Sequence, residues 1–163
     1  MSAEKDNIRL IPMTEDMYRS FFREYENDPD LCLPGQPFSH YEYSEEKVTG
    51  YIQRQKDLKR IPLAIIYGGE IAGEIIIRDI EPNKHATMSI TLKNAGYKDR
   101  GIGTEAEKLA VRYVFYDLDI PVLYADTVRT NKRSQHVLEK AGFTCIGEDP
   151  DYRFYRIDRT EFR

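Results

Sequence analysis

Two short stretches carry the residues best suited to chemistry. The first runs Lys98-Asp99-Arg100-Gly101-Ile102-Gly103-Thr104, with two glycines one residue apart between cationic side chains and a threonine. It lies between an alternating run over 86–92 and a helix-like run over 104–117, so the glycine turn falls at a helix start. Helix N-termini carry orphan N–H groups and the positive end of the macrodipole, so a diphosphate is the ligand such a turn suits best. Lys98 and Arg100 would add positive charge, and the backbone of Gly101, Ile102, Gly103 and Thr104 would supply the amides. The second stretch, Asn131-Lys132-Arg133-Ser134, offers a carboxamide and a hydroxyl at the start of another helix. Both are also residues that cap helices.

The elements that must hold these stretches follow from pattern. Ile8-Arg9-Leu10-Ile11-Pro12-Met13 reads as a short first strand ending near its proline. Thr14 is a cap for a helix in which Met17, Phe21 and Tyr25 recur at helical spacing with Tyr18 and Phe22, giving a wide aromatic face. Residues 28–43 hold three prolines and one glycine, with Phe38, His40, Tyr41 and Tyr43 beside Asp28, Asp30 and Glu42. That mixture is a loop, either a plain connector or a surface for an alkyl ammonium group. Ser44 opens a second helix. The runs 61–67 and 70–80 flank Gly68-Gly69 and form a hairpin, with Gly73 marking a bulge or a close contact. After strand 86–92, helix 104–117 and strand 122–128 imply a parallel pair. Gly142 stops the helix that contains Val137 and Leu138. Runs 143–147 and 152–157 then close as a hairpin. The fold class is α/β in the α+β mixed sense: a mostly antiparallel sheet of about seven strands, helices on both faces, over a single domain spanning 1–163.

Composition narrows the function. With 163 residues, 40% hydrophobic and 32% charged, the chain reads as an ordinary soluble domain without a membrane span. The first six residues lack a signal-peptide pattern, so a cytoplasmic location is expected. A net charge of -4 with no basic stripe argues against nucleic acid. Cys32 and Cys145 stand in no metal-ligand or activating motif, so neither a metal nor cysteine chemistry is expected.

Lys98-Asp99-Arg100-Gly101-Ile102-Gly103 resembles the Q/R-x-x-G-x-G/A pyrophosphate loop of the GNAT superfamily of acyl-CoA-dependent N-acetyltransferases. Asn131-x-x-Ser134 followed by Val137-Leu138-Glu139-Lys140-x-Gly142-Phe143 resembles its second signature. The wording is most similar to the branch that includes ribosomal-protein N-terminal acetyltransferases and spermidine acetyltransferases. The resemblance implies that strands 86–92 and 122–128 splay, that pantetheine pairs with backbone near Ile90 and Leu92, and that diphosphate sits on the amides from Arg100 to Thr104. It implies acetyl-CoA as the cofactor, with CoA as product. Asn131 would hold the pantetheine arm and Ser134 would stand at the leaving thiolate. It implies direct attack by a primary amine in a ternary complex, the acceptor being a protein N-terminus, a polyamine or another small amine. A homodimer stays open.

The chain departs from the family in two places: Leu138 stands where many members have a tyrosine acid, and Thr87 where the branch often has a glutamate. Asp79, Asp126 and Glu148 are the candidates for a general base, while His85 and His136 read as surface or packed residues. Two alternatives use the same residues. A non-catalytic acyl-CoA-binding module fits the two departures. A dinucleotide-binding oxidoreductase fits Gly101-x-Gly103-x-x-Ala106 with Asp126, but requires the turn to leave its strand directly, and eight residues, 93–100, intervene.

Overall fold

A computed structural model describes residues 7–162, and the expectation about the first six residues lies outside them. Strand β1 (Ile8–Pro12) leads into helix α1 (Glu15–Glu24), whose cap is Thr14: its hydroxyl accepts from the Met17 amide at 3.2 Å. A loop with one 3-10 turn at Pro29–Leu31 leads to α2 (Glu45–Asp57), capped by Ser44. Then come β2 (Ile61–Tyr67), β3 (Glu70–Glu81) and β4 (His85–Leu92). Helix α3 (Ile102–Arg112) runs into a π turn at Tyr113–Asp117, followed by β5 (Val122–Val128), α4 (Lys132–Lys140), β6 (Thr144–Glu148) and β7 (Tyr152–Asp158).

The strands form one sheet in the order β1-β2-β3-β4-β5-β7-β6. Every neighbouring pair is antiparallel except β4 and β5. A lone parallel pair inside an antiparallel sheet is incompatible with the doubly wound dinucleotide fold, whose strands run parallel. The oxidoreductase alternative therefore falls.

Apolar residues on the two sheet faces form separate cores. Ile75, Ile77, Met88 and Leu123 pack beneath α3 with Ala106, Ala110, Val114 and Phe115. On the other face, Ala64 and Ile66 meet Tyr18, Phe21, Phe22, Val48 and Ile52 of α1 and α2. Gly73 is needed for contact. A Cβ there would lie 2.6 Å from the Thr91 carbonyl oxygen, so only glycine lets β3 sit this close to the end of β4. The register between β2 and β3 also shifts beside it, between Ile65 and Ile66.

The largest boundary differences from the sequence pattern are at the two ends of α3, the strand ends differing by a single residue. Helix α3 begins at Ile102 rather than 104, because Gly101 takes the left-handed conformation (φ 77°) at the N-cap without any side chain to advertise it. The helix also widens into the π turn before its end, so its α-helical part stops at Arg112.

Candidate active site

The site is made by a seam that closes at one end only. Strands β4 and β5 pair through His85–Val122, Ala86–Leu123, Thr87–Tyr124 and Met88–Ala125, and there the pairing stops. Residues 89–92 of β4 and 126–128 of β5 continue without each other, although each stays paired to its outer neighbour, β3 or β7. The splay leaves backbone N–H and C=O groups on two facing edges. Buried backbone groups are rarely left unpaired, so this gap is a place for a polar, strand-like ligand.

The helix ends converge on the gap. Side chains cap α1, α2 and α4, but among the described residues none caps α3. The first amides of α3 are therefore open to an external acceptor, which is what an anion requires. At α4 the cap is Asn131, whose Oδ1 accepts from the Ser134 amide at 3.1 Å. Asn131 is thus a cap and a cleft residue at once. Ser134 keeps its hydroxyl for the cleft.

Three connected cavities trace the cleft. The outer one is lined by Lys98, Gly101, Gly103, Thr104, Arg133 and His136. The middle one takes in Ile90, Leu92, Gly103, Asn131, Ser134 and Val137. The inner one reaches Met88, Ser89, Asp126, Thr127, Ser134 and Leu138. A cationic mouth, an apolar middle with backbone edges and a polar inner chamber form one path, open to a long ligand with an anionic end.

Most residues expected from the sequence lie on this path. Ile102 is the exception in kind, since its side chain is buried in the core and only its amide can take part. Arg100 turns away: its guanidinium donates to the Tyr67 hydroxyl at 3.1 Å and stacks over that ring at 5.0 Å. Lys98 lines the cleft but its Nζ sits 2.6 Å from Asp28 Oδ1.

Of the candidate bases, Asp126 is on the inner wall. Arg78 joins it to Asp79, with N–O distances of 3.2 and 2.6 Å, and also donates to Ser89 Oγ at 2.8 Å. Glu148 pairs instead with Arg129 at 3.7 Å. His85 packs edge-on against Tyr124, and His136 is exposed at the outer rim.

Three contributors escape the sequence pattern. Arg133 lines the mouth while holding Asp30 at 2.9 Å and Asp99 at 3.1 Å. Leu31 borders the middle and inner cavities and also a pocket formed by Tyr25, Gln36, Pro37 and Phe38, so the proline-rich loop lies against the open seam. Glu107 is fully buried beside both cavities, and burial alone holds its carboxyl well above the usual range. Its spacing of four from Gly103 was the available signal, because that spacing shares a helix face.

Beneath the other face, Glu74 accepts from the Tyr51 hydroxyl at 2.6 Å. Burial raises the carboxyl of Glu74 and the phenols of Tyr18 and Tyr51, and pushes Tyr25 up to about 12.

Residues 7–144 match the model of the acetyltransferase (GNAT) domain. The chain belongs to the GNAT acetyltransferase family. Spermidine N(1)-acetyltransferase of Escherichia coli K12 is 32% identical over 81 residues, 49% of this chain and 43% of that enzyme. The match thus spans less than half of the curated relative's length. Among solved structures, spermidine N-acetyltransferase from Vibrio cholerae, in complex with CoA and spermine, superposes with a TM-score of 0.77 at 16% identity, covering 96% of this chain and 98% of that one. Aminoglycoside acetyltransferase AAC(6')-Ib, in complex with coenzyme A, gives 0.76 at 16% identity, covering 94% and 96%. At such identities the superpositions speak for the GNAT fold.

Proposed function

We propose that this GNAT chain is an N-acetyltransferase that moves the acetyl group of acetyl-CoA to a primary amine by direct attack in a ternary complex. The observation that carries the reading is the seam that opens after Met88 and Ala125 and leads to the uncapped start of α3. The residues fit the cofactor. Amides of Ile102, Gly103 and Thr104, with Lys98 and Arg133 beside them, would hold the diphosphate. Edges 89–92 and 126–128 would pair with the amides of the pantetheine arm, against Ile90, Leu92 and Val137.

When bound, the cofactor supplies an activated acyl group as a thioester. The chain's own residues do the remaining work. Asn131, fixed as the helix cap, borders the arm, and Ser134 presents a hydroxyl where the middle and inner cavities meet, as a hydrogen-bond donor to the leaving sulfur. Asp126, on the inner wall, is the group best placed to draw a proton from the acceptor amine, directly or through water. Its contact with Arg78 keeps it in place.

The acceptor enters from the inner chamber, bordered by the proline-rich loop. A polyamine, another small amine or a protein N-terminus fits the Asp126 carboxylate on the wall of that chamber, and the relatives named for spermidine and aminoglycosides favour a small polyamine-like acceptor. Two free cysteines suit a cytoplasmic setting.

The test is a melting series. Acetyl-CoA or CoA at about 100 times its dissociation constant should add roughly 2.7 kcal/mol, and NADH should add nothing. Acetylation is then followed with spermidine, an aminoglycoside and an N-terminal peptide. Turnover with one of them supports the enzyme, and tight CoA binding without turnover of any amine points to a binding module.

A further inference from the structure

Glu107 has no structural reason to be a glutamate. It lies one helical turn beyond Gly103, about 6 Å further along the axis of α3. Its side chain is 0% exposed, and neither carboxylate oxygen has a hydrogen-bond partner. An apolar residue would fill the same space without burying an unsatisfied polar group. Yet the residue borders both the middle and the inner cavity, sharing that junction with Ile90, Thr91 and Ser134. No neighbouring charge contributes to its raised carboxyl, which is displaced by burial alone.

We propose that Glu107, as a neutral carboxylic acid, gives its proton to the sulfur of the acyl carrier when the acceptor amine displaces it, an inference that rests on the acetyltransferase reading above. The amine lone pair forms the C–N bond to the acyl carbon, the C–S bond breaks with its electron pair going to sulfur, and the Glu107 O–H proton passes to that sulfur to give the thiol. Asp126 takes the proton of the ammonium form before attack, and the second proton, shed by nitrogen as the amide forms, restores the carboxylic acid of Glu107 through Ser134 or water. Amine and thioester are thereby converted to amide and thiol with no other reactant. The site needs such a donor. Leu138 has no acidic hydrogen, and Ser134, an alcohol, can hydrogen-bond to the sulfur but is a far weaker acid than a carboxyl.

The test is infrared difference spectroscopy on the whole chain at neutral pH, with CoA and with desulfo-CoA. A protonated-carboxyl C=O band that disappears in Glu107→Gln, and so is separable from that of Glu74, is expected in the free protein. It should shift when CoA binds and stay in place with desulfo-CoA, which lacks the sulfur. Acetyl transfer by Glu107→Gln should be slower by about 10²- to 10⁴-fold, with CoA affinity within a few-fold of the parent. A missing Glu107 band, an equal shift with both ligands, or undiminished transfer by Glu107→Gln overturns the proposal alone. Failure of the parent protein to bind CoA overturns it together with the acetyltransferase reading.

Discussion

The two ends of the β4–β5 seam are built from the same two strands and behave as opposites. At the closed end Ala86, Met88 and Leu123 are almost wholly buried and the strands are hydrogen-bonded to each other. At the open end Ser89, Ile90, Thr91 and Leu92 are only partly buried and border the middle or inner cavity. The closed end contributes stability, because its apolar surface is removed from water and its backbone groups are paired within the chain. The open end keeps its unpaired backbone groups for a ligand. Stability and binding are therefore separable along a single strand.

The largest expected effect separates the ends directly. Leu123→Ala should cost about 2–5 kcal/mol in a denaturant titration while leaving the CoA affinity of the folded protein alone. Ile90→Ala should cost only roughly 1 kcal/mol, since solvent already reaches that side chain, but should weaken CoA binding. Equal losses of stability would erase the distinction.

Gly103→Ala sharpens it with effects of opposite sign. The added Cβ would meet Val137 Cγ1 at 3.6 Å, an ordinary contact, so the fold tolerates it. The free protein should gain roughly 0.5–1 kcal/mol from better helix propensity. CoA binding, measured by calorimetry, should weaken about tenfold, because the methyl group stands where the ligand must approach the helix start.

A smaller effect concerns the mouth of the open end. Asp30 holds Arg133 and also lies 3.8 Å from Lys98, so its carboxylate competes with a diphosphate for both cations. Asp30→Asn should tighten CoA roughly two- to fivefold, as expected for a half-exposed pair, and the gain should shrink with added salt.

The last contrast is in pH. A carboxyl raised by burial binds its proton more tightly in the folded chain than in the unfolded one, so its stabilising contribution is present below the unfolded value of about 4.3 and is lost as pH rises above it. Glu107→Gln removes that dependence. Its melting temperature relative to the parent should therefore climb as pH rises above about 4.3, and a difference that stays flat would place an ionised carboxylate in the native cleft.

Much of this arrangement was legible in the residues. The glycine pair, the Asn131-x-x-Ser134 stretch and the strand–helix–strand order located the cleft, because turn and cap residues act locally and periodicity reports which face is buried. Other features left little local trace. The start of α3 at Ile102 is set by a glycine in a left-handed conformation, which looks like any loop glycine in sequence. Arg133 and Asp30 meet across 103 positions, and the Lys98–Asp28 pair is similarly remote, so neither ion pair follows from nearby residues. Arg100 was legible as a cation, but its turn toward Tyr67 depends on the β2–β3 hairpin. Glu107 was hidden by its own charge, since an acidic residue on a helix is ordinarily solvated.

Hydrogen exchange of individual amides with and without CoA tests the open seam most directly. Amides within 101–104 and along the free edges, 89–92 and 126–128, should gain protection on binding, while those of 85–88 and 122–125, already paired, should scarcely change. Protection confined to 101–104 would mean that the diphosphate binds but the seam does not hold the arm. No added protection at either place would contradict the cofactor site altogether.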